Sequence, residues 1–267
     1  MKKAGSVDIF CFKNCVCQHI ACFFPALYFR FFYHPSFEKM HPLDNPAWHA
    51  LHESHRSYAR GDEQIRLYLP EFAPFGGIHP EADRSAFHDL FVPDNDFIYL
   101  IGEIPDLPAG YVLEKQLVCL QMICPEPIHT VASENIQLLT QGQASDLAAL
   151  VNLVQPGYFR KKTGQMGNYF GIYLDGVLAA VTGERMRMNG HTEISAVVTH
   201  PDYTGRGLAS QLVAYAVNQN LAAGQLPFLH VTEDNVRAIA LYEKLGFQTR
   251  RKMDFWKITR PSHNVQL

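Results

Sequence analysis

The sequence predicts a mixed α/β (α+β) protein, with a largely antiparallel sheet flanked by helices. Three observations carry this. Asp175-Gly176 and Asn189-Gly190 each separate apolar, β-branched runs, the signature of tight hairpins. A run ending at Thr199 passes through Gly205-Arg206-Gly207 directly into Leu208, Leu212, Val213 and Ala216 at helical spacing. A second strand, Phe228 to Thr232, is followed by a cap region at Glu233-Asp234-Asn235, a short helix and a stop at Gly246.

Composition narrows the function classes. The chain has 267 residues, 47% of them hydrophobic and 18% charged, with a formal net charge of −3 at pH 7. That balance suits a globular protein and gives no basic footprint for nucleic acid. No apolar run reaches the roughly 18 residues of a membrane span, and the expected location is the cytoplasm. Cys11, Cys15, Cys17 and Cys22 crowd the start, without the paired knuckle spacing of a zinc site. No metal is expected.

In chain order, residues 1–39 hold eight of the eighteen Phe and keep no period. They read as a poorly ordered extension, with Met40 as the working start; a tail or a membrane-surface anchor is the alternative. Asp44-Asn45-Pro46 offers a cap and a first-turn proline for a helix carrying Trp48, Leu51, His55 and Tyr58 and stopped by Gly61. His52-Glu53-Ser54-His55 falls one residue short of the zinc-protease spacing and reads as an ordinary helix face. Ile65 to Leu69, Phe97 to Ile101 and Tyr111 to Cys124 read as strands, and Ser85 to Phe91 as a short helix. Residues 40–124 are therefore expected to form a small α/β domain, with 125–133 as a Pro-bearing linker.

Residues 134–260 are expected to form the second domain, followed by a tail at 261–267. Ile136 to Leu139 reads as a strand, and a helix led by Ser145-Asp146 is broken at Gln155-Pro156-Gly157. Tyr158 to Gly167 is a basic loop. Tyr169 to Leu174, Val177 to Met186 and His191 to Thr199 form a three-strand meander that feeds the glycine turn.

A strand, a glycine turn and a helix make a phosphate cradle: the chain turns tightly, and unpaired first-turn N–H groups face an anion. Neither the nucleoside-triphosphate loop nor the dinucleotide fingerprint is present. Thr204-Gly205-Arg206-Gly207-Leu208-Ala209 instead resembles the acyl-CoA loop of the GNAT superfamily of N-acetyltransferases, Gln/Arg-x-x-Gly-x-Gly/Ala, with Thr204 departing at the first position. Asn235, Leu241-Tyr242-Glu243 and Gly246-Phe247 resemble that family's second signature, in the same order and spacing. Residues 40–124 are then compatible with a degenerate GNAT-like half.

The resemblance implies an N-acetyltransferase that moves an acetyl group from acetyl-CoA, as cosubstrate, to a primary amine of a small molecule, amino acid or peptide. A non-catalytic acyl-CoA sensor or a structural protein of the same fold is the alternative, and a homodimer is compatible with either. The backbone of Gly205, Arg206, Gly207, Leu208 and Ala209 would hold the pyrophosphate, with Ser210 donating to it. Val197, Val198 and Thr199 would pair with the pantetheine arm, an N–H near Val198 polarising the thioester. Tyr242 would be the general acid, and Asn235 would orient the cofactor, cap the helix, or both. His191, Glu193 and Ser195 share one face of their strand. Glu193 is the first choice of base, with Glu184 and His230 behind it and a salt bridge to Arg185 or Arg187 as its structural alternative. Arg160, Lys161 and Lys162 either attract an acceptor carboxylate or are simply solvated.

Overall fold

The computed structural model describes residues 41–83, 96–103, 107, 109–130 and 133–260. The expectations for residues 1–39, for a helix over Ser85 to Phe91 and for the tail at 261–267 lie outside the described residues. Among the described residues there are four α-helices, α1 (Pro46–His52), α2 (Ala144–Val154), α3 (Leu208–Ala222) and α4 (Val236–Lys244). The strands are β1 (Ala59–Gly61), β2 (Ile65–Tyr68), β3 (Phe75–Ile78), β4 (Phe97–Ile101), β5 (Val112–Ile123), β6 (Ile136–Leu138), β7 (Tyr169–Leu174), β8 (Val177–Met188), β9 (His191–Thr199), β10 (Leu226–Thr232) and β11 (Gln248–Thr259).

All eleven strands join one sheet in the order β1-β2-β3-β4-β11-β5-β10-β9-β8-β7-β6. The expected division at 125–133 is not a division between sheets. β5, from the N-terminal part, lies hydrogen-bonded between β10 and β11 of the C-terminal part, and the described residues form one compact unit. β3 runs parallel to β4 and β10 parallel to β9; the other neighbours are antiparallel. No described helix is long and apolar enough to cross a membrane.

The helices cover both faces. Phe228, facing one way from β10, packs with Leu43, Leu51 and Met186. Its neighbour Leu229, facing the other way, packs with Leu212, Val217 and Tyr242 of α3 and α4. α2 buries Leu147, Leu150 and Val151 against Tyr169, Val181 and Val198.

Asp175 and Gly176 both take positive φ, 51° and 79°, as a two-residue hairpin with the twist of its strands requires. α1 is shorter than expected and ends at His52. Asn45 gives it no side-chain cap and instead donates to the Ile78 carbonyl at 2.6 Å. His55 is buried between the Tyr68 hydroxyl at 2.8 Å and the Met166 carbonyl at 2.9 Å. Burial lowers its pKa to about 4. Among the described residues no group of His, Cys, Asp or Glu is arranged to hold a metal ion.

Candidate active site

The site is built where the parallel pair β9 and β10 comes apart. They pair through His191, Thr192 and Glu193 against Leu226, Pro227 and Phe228. Beyond that, Ser195, Ala196 and Val197 of β9 and His230, Val231 and Thr232 of β10 line a cavity of about 370 Å³. A bulge helps to open it. Between the pairs Val181–Val198 and Gly183–Ser195, β8 advances two residues and β9 three. Ala196 absorbs the extra residue with φ of 49°. A bulge bends its strand and leaves one residue out of the ladder, here beside the cavity.

The cavity reaches both faces of the sheet. Asn235, Ala238 and Tyr242 line it from the α4 side; Phe75, Tyr99, Tyr158 and Phe255 line it from the opposite side. Tyr242 is 8% exposed. Burial alone raises its phenol to about 12, with no hydrogen bond contributing. Asn235 lines the cavity and also accepts from the Ala238 N–H at 3.2 Å as the α4 cap, so the two expected roles are geometrically compatible.

The glycine turn has the geometry of a cradle. Gly205 and Gly207 take φ of 80° and 73°, and a Cβ on either would meet nothing within 4 Å. Gly207 is the N-cap of α3, so Leu208, Ala209 and Ser210 form a first turn whose N–H groups have no carbonyl four residues back within the helix. Arg206 lies with its guanidinium 5.1 Å from the centre of the Tyr203 ring. Val198 is buried against Val181 and Val151, whereas Val197 lines the cavity.

Glu193, the first choice of base, does not line the cavity and is held by its neighbours. Its side chain is fully buried. Oε2 accepts from Arg185 Nε at 2.8 Å and Oε1 from Arg185 Nη2 at 2.5 Å; His230 Nδ1 donates to Oε1 at 2.7 Å. Burial pushes the carboxyl up, but the Arg185 charge and the hydrogen bonds from His230 and Arg185 outweigh it and hold the carboxyl at about 2. The glutamate is an anion with its oxygens spent.

His230 lines the cavity with both ring nitrogens engaged. Nδ1–H points to the ionised Glu193, which leaves Nε2 to accept from Gln121 Nε2 at 3.1 Å. Gln121 is pinned in that orientation because its carbonyl oxygen accepts from Arg250 at 2.9 Å and its amide donates to the Leu43 carbonyl at 2.7 Å. The remaining candidate, Glu184, accepts from the Asn168 backbone N–H at 2.9 Å and fixes the loop before β7.

Two of the basic loop's three charges are met locally, while Lys161 is exposed. Arg160 pairs with Asp96 at 2.6 Å and Lys162 with Glu71 at 3.3 Å. What the segment gives the cavity is Tyr158, Phe159 and Thr163. Arg185, Cys119 and Gln121 were not expected to build the site. Only Arg185 carried a sequence signal, as the cross-strand partner of Glu193.

Comparison with known proteins fits this arrangement. The FR47-like protein family model matches residues 169–256, which include β7 to β10 and both signature turns. A solved structure from Novosphingobium aromaticivorans, assigned to the GNAT acetyltransferases, is 32% identical with a TM-score of 0.76, covering 83% of this chain and all of that one. A GCN5-related N-acetyltransferase from Kribbella flavida shares the fold at 16% identity and a TM-score of 0.55, covering 82% of this chain and 97% of that one. An acetyltransferase from Pectobacterium atrosepticum is 42% identical over 52 residues, 19% of this chain. The chain spans only 36% of that curated relative's length.

Proposed function

This chain belongs to the GNAT family of acetyltransferases, and from that premise we propose that it transfers an acetyl group from acetyl-CoA to a primary amine by direct attack in a ternary complex. The observation that carries the reading is the cavity through the sheet, with the free hydroxyl of Tyr242 on one side and an aromatic chamber on the other. The glycine turn suits a pyrophosphate: its two left-handed glycines leave the space above them open, and the helix start favours an anion there. Val197 to Thr199, beside the bulge at Ala196, present a strand edge to a pantetheine arm in the manner of an added strand.

When bound, acetyl-CoA supplies the activated acyl group and a thiol leaving group. A backbone N–H near Val198 would stabilise the charge that develops on the thioester oxygen. Tyr242 would give its proton to the departing sulfur and recover it from solvent. In water a thiol titrates near ~8.5, well below a phenol at about 12, and that transfer would run uphill. The cavity changes the comparison. Cys119, which lines it, has its thiol raised to about 12, chiefly by burial. Burial in the cavity would raise a bound CoA thiol in the same direction as it raises Cys119 and Tyr242, and so narrow the gap.

No carboxylate among the described residues lines the cavity. With His230 Nε2 accepting from Gln121, the acceptor amine would enter as the free base, and the proton it sheds on forming the amide would pass to water. kcat/KM should rise with pH along the ionisation of the amine itself. Calorimetric titration of the full chain with acetyl-CoA, followed by free-thiol release with a panel of amines, tests the reading. Saturable binding with amine-dependent release, reduced by Tyr242→Phe, is expected. Binding without release for any amine would leave an acyl-CoA sensor, and no binding would remove the reading altogether.

A further inference from the structure

On the acceptor side, the chamber is walled by rings in mutual contact. Tyr99 and Tyr158 stack at 6.0 Å and 21°, and Phe75 stacks on Tyr99 at 5.9 Å. Phe255 meets Phe75 edge-on at 6.3 Å and the His230 ring at 5.0 Å.

The charged groups at this end cancel one another. Arg185 lies 4.4 Å from the Phe75 ring centre and turns two N–H groups onto Glu193, so its charge is met before a ligand arrives. Glu193 is enclosed, and His230 is held between Glu193 and Gln121. Among the described residues no unpaired carboxylate faces a polycation here, and no unpaired cation faces a carboxylate. Desolvating a second charge in such a chamber is costly, while a flat ring finds offset and edge-on partners.

We infer that the acceptor is a primary amine carried on an uncharged aromatic body, the ring seated among Phe75, Tyr99, Tyr158 and Phe255 and the amine directed at the opening between β9 and β10. This rests on the acetyl-transfer reading and narrows its acceptor. Tyr158 is the wall residue that can be changed with least risk to the fold, being 42% exposed.

The experiment measures acetyl-CoA binding by calorimetry and steady-state kinetics on the purified full chain with 2-phenylethylamine, 1,4-diaminobutane and glycine. The expected result is a kcat/KM for 2-phenylethylamine roughly 100-fold above either competitor, at the upper end of what one apolar subsite achieves. Tyr158→Ala should raise KM for 2-phenylethylamine about tenfold, more than it lowers kcat, and Tyr158→Phe should restore it. Equal or better turnover of 1,4-diaminobutane or glycine overturns the aromatic acceptor and leaves acetyl transfer intact. A KM that Tyr158→Ala does not move overturns it too, as does acetyl-CoA binding with no turnover of 2-phenylethylamine. Absence of acetyl-CoA binding is the separate failure of the parent reading, and the inference falls with it.

Discussion

Replacing Glu193 with Gln separates the two roles a buried glutamate beside this cavity can have. The substitution keeps shape and removes charge. Arg185, whose side chain is 17% exposed against none for Glu193, is then a cation without its counter-ion, and His230 loses the anion that receives its Nδ1–H. Removing one partner of a buried pair costs about 3–5 kcal/mol. The carboxyl itself gives a similar figure. Its drop from the ordinary 4.5 to about 2, at about 1.36 kcal/mol per unit, is worth roughly 3 kcal/mol. For a domain of this size the melting temperature should fall by about 6–20 °C. Because folding lowers this pKa, the contribution is complete above the ordinary carboxyl range and disappears as pH falls from about 4.5 through about 2. The variant should lack that acid-dependent part. Thermal and urea unfolding between acid and neutral pH measure both effects, and Arg185→Met with Glu193→Leu should recover most of the loss, since an apolar pair of similar volume replaces both charges. A variant with unchanged melting temperature, lowered kcat and a missing ascending limb in its pH–rate profile would refute the argument and return Glu193 to the role of base.

The other predictions are shorter. Tyr242→Phe removes a buried hydroxyl that no hydrogen bond supports; unfolding free energy should not fall, while kcat falls about 10²- to 10³-fold. In wild type no descending limb from Tyr242 should appear below its pKa of about 12, which a rate profile carried to high pH checks. Gly207→Asp puts an anion in the open left-handed position and should weaken acetyl-CoA binding about 10- to 100-fold by calorimetry, whereas Gly207→Asn, uncharged and tolerant of that φ, should lose much less. Gly183→Ala drives a Cβ to within 2.2 Å of the Tyr169 ring and should cost about 1–3 kcal/mol of stability in urea unfolding.

Much of the fold is written locally. Phe97 to Ile101, Tyr169 to Leu174 and His191 to Thr199 are strands with the ends their residues suggest, because turn residues bound each run. The left-handed glycines of the cradle are equally local, since only the turn itself demands their φ. What is not local is which strand lies beside which. The Pro-bearing stretch after Cys124 has the composition of a linker, yet β5 crosses that supposed boundary to lie between β10 and β11. Apolar alternation reports that β5 has a buried face and says nothing of whose edge it meets. β1 and β3 gave no strand signal, being three and four residues long, with Gly61 in one and Gly76-Gly77 in the other.

The same gap explains Glu193. Period two correctly sets it on the face of His191 and Ser195, the face from which a base would act. The side chain's fate depends on register. β9 pairs with β8 so that Glu184 sits opposite Ile194 and Arg187 opposite Thr192; three residues of β8 therefore span two of β9, and Arg185 lies in that irregularity within reach of Glu193. From the other side β10 runs parallel, Phe228 opposite Glu193, and His230, two residues on and on the same face, completes the trio. A one-residue slip of either neighbour would turn Arg185 or His230 to the far face and leave the carboxylate free. Two pairing registers, not any property of Glu193 itself, thus bring Arg185 and His230 onto the carboxylate and balance the charge at that end of the chamber. The same pairing leaves that chamber with aromatic walls and no unspent charge among the described residues.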